Sequence, residues 1–225
     1  MYVGGENMKV LINDLKRFPI TLTGFIFLSI GIMLTKRSAL GMSPWGVFHE
    51  GMSNVTGLSF GVVTQLVGLI VLLVSVIFLK TKIGLGTVLN VLLVGWFIDL
   101  ADHFYTYIPI SYLAKTIVFT LGLFSMTFGR SLYIASRLGP GPRDGLFVGL
   151  SKTLNIEVKY MKPAIELTVL LLGFIFGGTA GVGTVVAALV SGYMVQTFFK
   201  LLSYDPTLKT ESNIMNYLQI KKQFK

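Results

Sequence analysis

The chain lacks cysteine entirely, and only 13% of its 225 residues are charged. The missing thiols exclude disulfide bonds, thiolate catalysis and cysteine-based metal sites. The only two histidines, His49 and His103, fall in different predicted outer loops, and no Ser-His-Asp grouping or metal-ligand spacing accompanies them. The sequence therefore predicts no catalytic centre, no metal and no cofactor, and we do not expect an enzyme.

Hydrophobic residues make up 53% of the chain, and its mean hydropathy is +0.74. A soluble domain cannot bury that much apolar surface, so the composition predicts an integral membrane protein. Six segments approach the roughly 20 residues that a helix needs to cross the hydrocarbon core. They are 18–34, 60–79, 85–100, 115–134, 160–176 and 182–199. We expect about six membrane-spanning helices, with five or seven left open.

The net charge of +9 is distributed unevenly around these segments. With six spans, most basic residues fall on the side that holds both termini and the loops after the second and fourth spans. The opposite side receives only Lys36, Arg37 and Lys115. The positive-inside rule then places both termini in the cytoplasm. The basic charge is thus a topology signal, and we expect no binding to nucleic acid.

One stretch of sequence occurs twice, about 98 residues apart. Leu40-Gly41-Met42-Ser43-Pro44 corresponds to Leu138-Gly139-Pro140-Gly141-Pro142, and Gly84-Leu85-Gly86-Thr87 corresponds to Gly181-Val182-Gly183-Thr184. We divide a single transmembrane domain, 1–225, into repeats at 18–107 and 115–202, with cytoplasmic tails at 1–17 and 203–225. Each repeat holds three spans, which is an odd number, so the second repeat enters the membrane from the face opposite to the first. The sequence therefore predicts an all-α membrane fold of two inverted repeats.

A glycine- and proline-rich break follows the first span of each repeat. Ser43 before Pro44 predicts a helix start with serine as N-cap, and Gly141 before Pro142 predicts the same. The short helices expected over 44–54 and 142–153 are too short to cross a bilayer, at about 18 Å each. Two interpretations stay open: a re-entrant helix that dips toward the midplane, or an amphipathic helix at the membrane surface.

Charged residues inside a bilayer are costly unless paired or hydrated, which makes them functional candidates. We expect Arg130 to pair with Glu166 or to face an anionic solute. We expect Glu166 to bind a proton or cation, or to pair with Arg130, Lys162 or Arg143. Asp99 closes the third span, and Asp144 lies in a first helical turn, where a carboxylate is stabilising. The candidate solute pathway comprises Ser43, Pro44, Asp99, Arg130, Gly141, Pro142, Arg143, Asp144 and Glu166.

Residues 138–146, with Ser43-Pro44-Trp45, Glu166 and the glycine-rich stretch 177–184, resemble the YczE/YitT-type family of bacterial multi-pass membrane proteins. The resemblance covers about 17–199 and implies a location in the bacterial plasma membrane. It implies no particular substrate, because the family has none established. In such proteins the first motif often continues Pro-Trp-Asp, whereas Gly46 stands here. Of the two acidic positions, only Asp144 therefore remains.

Broken helices at corresponding positions in two halves are typical of transporters. We therefore predict an inverted-repeat transporter or channel for a small polar or charged solute, with its path between the repeats. The alternative is a non-transporting membrane scaffold for another protein, and a lipid-modifying enzyme is a weaker third option. The expected partners are the lipid bilayer and an unidentified small solute, with homo-oligomerisation left open.

Overall fold

The computed structural model describes residues 3–81 and 83–205, and their side chains from residue 12 onward. Within these ranges the chain forms eight α-helices and no strand, which confirms the all-α prediction. The helices are α1 (Val3–Arg37), α2 (Pro44–Thr56), α3 (Phe60–Ile77), α4 (Leu85–Phe104), α5 (Tyr112–Ala135), α6 (Pro142–Leu154), α7 (Val158–Ile175) and α8 (Val182–Leu201).

Five of the described helices are long and apolar enough to cross a membrane: α3, α4, α5, α8 and the part of α1 from Ile12 onward. The sixth predicted span corresponds to α7, which has 18 residues. It falls outside this group because Lys159, Lys162 and Glu166 lie within it. Length and composition therefore support five spans, one of the numbers left open by the sequence.

The first predicted tail is part of a helix. Because α1 begins at Val3, residues 3–17 are helical and continuous with the first span. Pro19 lies inside this helix without ending it. The second predicted tail is described only as far as Asp205, and residues 206–225 lie outside the described part of the chain.

The centre of the fold is the contact between α1 and α5. Gly24 faces Gly129 and Gly31 faces Gly122, and a Cβ placed on Gly31 would lie 2.6 Å from the carbonyl oxygen of Gly122. Only glycine permits two backbones to approach this closely, as in many membrane helix pairs. Residue numbers rise along α1 as they fall along α5, so the two helices are antiparallel.

Each Gly-x-Gly-Thr turn packs on the Leu-Gly break of the other half. The N–H of Gly183 donates to the carbonyl oxygen of Leu40 at 2.8 Å, and the N–H of Gly86 donates to that of Leu138 at 2.7 Å. The glycine after each leucine has a positive φ, +110° at Gly41 and +125° in the second copy, a conformation that glycine adopts without strain. The repeated motifs are therefore reciprocal contacts between halves.

The remaining helices also pack in corresponding pairs, with one exception. α2 packs on α7 as α6 packs on α3, and α1 packs on α4 as α5 packs on α8. However, α3 also packs along α4, where Gly61 and Gly95 meet, whereas α7 and α8 show no comparable packing. Gly192, which corresponds to Gly95, has open space around it. The second half is thus open where the first half is closed.

Candidate functional site

A cavity of about 120 Å³ lies between the two halves. Its wall includes residues from every long helix and the starts of both short helices, α2 and α6. The cavity brings together eight of the nine predicted pathway residues, namely Ser43, Pro44, Arg130, Gly141, Pro142, Arg143, Asp144 and Glu166. Segments that are far apart in the sequence therefore meet at one polar site inside a mostly apolar fold.

The local sequence explains why two helices begin at this cavity. Ser43 is the N-cap of α2 and accepts a hydrogen bond from the N–H of Gly46 at 3.4 Å, and Pro44 follows it. Gly141 caps α6 without a side-chain hydrogen bond, and Pro142 follows. Helix N-termini carry unpaired N–H groups and a partial positive charge. Two such termini therefore contribute positive potential to the same cavity.

The strongest ion pair in the cavity joins α5 to α6. Nη2 of Arg130 lies 2.6 Å from Oδ1 of Asp144, and both side chains are mostly buried. The expected partner, Glu166, instead lies 4.0 Å from Lys162, one turn earlier on its own helix. The predicted Arg130–Glu166 pair is therefore wrong. Asp144 lies in the first turn of α6, near Gly141, which is in contact with the Tyr133 hydroxyl of α5. Glu166 and Lys162 are four residues apart on α7, so their side chains share one face of that helix.

Arg143 connects the second short helix to the first. Its guanidinium carbon lies 4.7 Å from the ring centre of Trp45, a cation–π distance. Its Nη2 lies 3.3 Å from Nε2 of His49. Among the described residues, no carboxylate lies within 4 Å of this guanidinium. The charge of Arg143 is therefore held by a ring face and an imidazole.

The contacts of His49 with Thr64 and Arg143 favour one tautomer, because a guanidinium can only donate. Oγ1 of Thr64 donates its one proton to the carbonyl oxygen of Phe60 at 2.8 Å, and it lies 2.9 Å from Nδ1 of His49. Nδ1 therefore carries a hydrogen and donates to Thr64, which leaves Nε2 as an acceptor for Arg143. The imidazole is neutral in this arrangement, and it contributes no charge to the site.

The sequence placed His49 in an outer loop, which is wrong: it is 2% exposed and lines the cavity. The available signal was its spacing from Trp45, because residues four apart share one face of a helix. Tyr133 was also missed. Its hydroxyl oxygen would lie 2.7 Å from a Cβ on Gly141, so it packs against the start of α6.

Asp99, the ninth predicted residue, does not line the cavity. Its carboxylate accepts hydrogen bonds from the hydroxyl of Ser59 and, at 2.8 Å, from the N–H of Gly61. Both donors belong to the start of α3. Asp99 therefore caps one helix from another and ties α3 to α4.

The cavity wall carries charged side chains that can bind a charged ligand. Its wall presents two guanidinium groups, two carboxylates and a neutral imidazole. Between residues 12 and 205, Lys82 aside, no group of three or more His, Asp or Glu side chains is arranged to hold a metal ion. The arrangement suits non-covalent binding of a small polar or charged molecule.

Long apolar helices around a cavity that carries a few charged side chains define a multi-helix integral membrane protein. The chain belongs to a family of unknown function, DUF6198, which matches residues 15–200. It is 33% identical over 196 residues to an uncharacterised protein of Haemophilus influenzae, covering 87% of this chain and 89% of that protein. It is 30% identical over 199 residues to the uncharacterised membrane protein YczE of Bacillus subtilis, covering 86% and 92%.

A third relative, the uncharacterised protein YyaS of Bacillus subtilis, is 28% identical over 184 residues, covering 80% of this chain and 90% of the relative. These matches confirm the resemblance to YczE-type proteins. No solved structure matches the chain.

Proposed function

We propose that this protein is an inverted-repeat transporter or channel that moves a small charged or polar solute across the bacterial cell membrane. The path runs through the cavity between the α1–α4 half and the α5–α8 half. The observation that carries this proposal is the meeting of two broken-helix starts at one polar cavity. Transporter folds build solute sites from such helix starts near the interface of their repeats.

The antiparallel packing of α1 and α5 supports the inverted relation. These helices occupy the same position in their halves, so equivalent elements run in opposite directions. Under this proposal α7 is the sixth span and both termini are cytoplasmic. Lys159 and Lys162 lie near the cytoplasmic end of α7, where their long side chains reach the headgroups. Glu166 is held within the protein because it lines the cavity.

The separation of α7 from α8 supports access to the cavity through the second half. Ala188 and Ser191 of α8 line the cavity, and Glu166 lines it from α7. The corresponding helices of the first half, α3 and α4, are packed together. A solute path therefore runs beside α7 and α8, and rearrangement of these helices opens or closes it.

Osmotic reswelling of proteoliposomes tests the proposal across several classes of solute. Liposomes that contain the protein and the potassium carrier valinomycin are shocked with potassium phosphate, potassium formate, choline chloride or glycine, and light scattering reports solute entry. Valinomycin lets potassium enter with an anion, so that the charge stays balanced. Ala188→Phe places a ring in the cavity wall. Leu189→Phe is the matched control, because Leu189 is adjacent, 66% exposed and outside the cavity lining.

We expect faster reswelling than in empty liposomes for at least one solute, with the increase lost in Ala188→Phe and kept in Leu189→Phe. Equal reswelling of the protein, both variants and empty liposomes for every solute contradicts the proposal. That result favours the alternative function, a membrane scaffold that transports nothing.

A further inference from the structure

Arg143 is the one charged residue of the cavity wall that has no oppositely charged atom within 4 Å in the described part of the chain. Arg130 is paired with Asp144 at 2.6 Å, and Glu166 has Lys162 at 4.0 Å. Arg143 instead contacts the neutral imidazole of His49 and the ring of Trp45. A partly buried cation without a direct ion-pair contact is costly in a low-dielectric environment, and a bound anion lowers that cost.

Trp45 supplies a second, independent sign of a ligand. The side chain is 6% exposed and lines the cavity. Its indole Nε1–H is buried and has no acceptor within the described part of the chain. Leaving a buried donor without an acceptor costs about 1–3 times the net free energy that an ordinary hydrogen bond contributes to stability. Buried donors therefore nearly always have a partner. An anionic oxygen is the kind of acceptor that this donor lacks.

The backbone adds to the same preference. The first turns of α2 and α6 line the cavity, and each presents the positive end of a helix dipole. Trp45 and Arg143 both follow the first proline of their short helices. Trp45, Arg143 and the two helix starts therefore line the same cavity.

We propose that the cavity binds a small soluble oxyanion, a carboxylate or phosphate-type group, through the guanidinium of Arg143 and the indole N–H of Trp45. The inference rests on the proposed function, in that this anion is the transported solute. The volume of about 120 Å³ accommodates an anion of a few non-hydrogen atoms. Arg130 and Asp144 position the start of α6 and remain paired to each other.

Tryptophan fluorescence tests binding directly, because the chain has only two tryptophans. Trp96→Phe, at an exposed position of α4, leaves Trp45 as the sole emitter. The purified protein in detergent is titrated with potassium formate, acetate, phosphate and sulfate. The titrations are repeated with choline as the cation, and anion-dependent shifts in unfolding temperature give a second readout.

We expect a saturable response to at least one of these anions that does not depend on the cation. Arg143→Gln weakens the apparent affinity by about tenfold or more, since it removes a charged hydrogen-bond donor. Arg143→Lys keeps the charge and loses less. The matched control is Arg137→Gln, because Arg137 also stacks on an aromatic ring, that of Tyr204, at 4.7 Å. We expect it to leave anion affinity unchanged.

Trp45→Phe retains the ring and removes the N–H, so it weakens the anion-dependent shift in unfolding temperature. A linear response shared by all salts overturns the proposal, as does an undiminished affinity in Arg143→Gln. A fluorescence response to short-chain phosphatidylglycerol, with no response to soluble salts, would mean that the site binds a lipid headgroup. That result overturns the proposal of a soluble anion. Saturable anion binding without reswelling rejects the proposed transport and supports the anion site. Reswelling with cations or neutral solutes alone supports transport and rejects the anion site.

Discussion

The two halves of the molecule have the same order of helices but differ in how their last two long helices meet. In the first half, Gly61 and Gly95 allow α3 and α4 to pack closely. In the second half, the corresponding positions are Lys159 and Gly192, and α7 and α8 stand apart. The difference suggests a division of roles. The first half is a closed frame, and the second half carries the open wall of the cavity.

The short helices α2 and α6 of the two halves also differ, in the residues with which they begin. The first begins with Pro44-Trp45-Gly46 and the second with Pro142-Arg143-Asp144. Asp144 is used in the ion pair with Arg130, and Arg143 reaches across to Trp45. The aromatic residue of one half and the basic residue of the other therefore form one site.

The largest expected effect comes from the paired glycines of the two halves. Gly95→Leu should lower the free energy of unfolding by about 3 kcal/mol, because even its Cβ would lie 2.5 Å from Cγ of Gln65. Gly192→Leu should change it by about 0.5 kcal/mol or less, since no atom lies within 4 Å. Thermal unfolding in detergent measures both. Equal effects of the two variants would contradict the contrast between the halves.

The ion pair of the second half should show strong coupling. Arg130→Gln and Asp144→Asn each leave a charge without its partner, and the double variant removes both charges. We expect a coupling free energy of about 1–3 kcal/mol from the cycle, because both side chains are mostly buried. Denaturant unfolding of the four proteins measures it. Simple additivity would mean that the 2.6 Å contact does not stabilise the second half.

A smaller effect is expected at the helix cap of the first half. Asp99→Ala removes the acceptor for Ser59 and Gly61, so we expect a loss of about 1 kcal/mol. The corresponding residue of the second half is Gln196, which is exposed. Gln196→Ala should leave the unfolding midpoint unchanged. A comparable loss in both variants would show that α7 and α8 are tied together as α3 and α4 are.

The smallest change in stability is expected at Glu166. Its contact with Lys162 is 4.0 Å long and partly exposed, so Glu166→Gln should alter the free energy of unfolding by about 0.5 kcal/mol or less. The same variant should raise the apparent affinity for anions by about two- to fivefold, because a negative charge leaves the cavity wall. Titration of Trp45 emission measures the affinity. A loss of folded protein would assign Glu166 a structural role.

Much of the site could be predicted because local sequence marks it. Serine or glycine before proline specifies where each short helix begins, so Ser43, Pro44, Gly141 and Pro142 were placed together correctly. Charged residues within apolar segments are equally visible. The lengths of the apolar stretches also located every long helix to within a few residues, apart from the extension of α1 to Val3.

The partners of these residues could not be predicted, because they depend on how helices cross in space. Asp144 rather than Glu166 meets Arg130 since the start of α6 lies against α5. His49 was assigned to a loop because its helix is shorter than a span, and its contact with Arg143 joins residues 94 apart in sequence. Asp99 was assigned to the pathway on charge alone, whereas its hydrogen bonds lie at the start of α3.

The most direct test of the account is the reactivity of single cysteines in the cavity, since the natural chain contains none. Ser43→Cys and Ser191→Cys lie in the cavity wall, and Ser29→Cys is a buried control outside it. A membrane-impermeant methanethiosulfonate is applied to intact spheroplasts and to inverted vesicles. We expect both cavity cysteines to react, faster from one membrane face than from the other, and more slowly with a bound anion. Protection of both cysteines to the level of Ser29→Cys from either face would contradict a solute path between the halves.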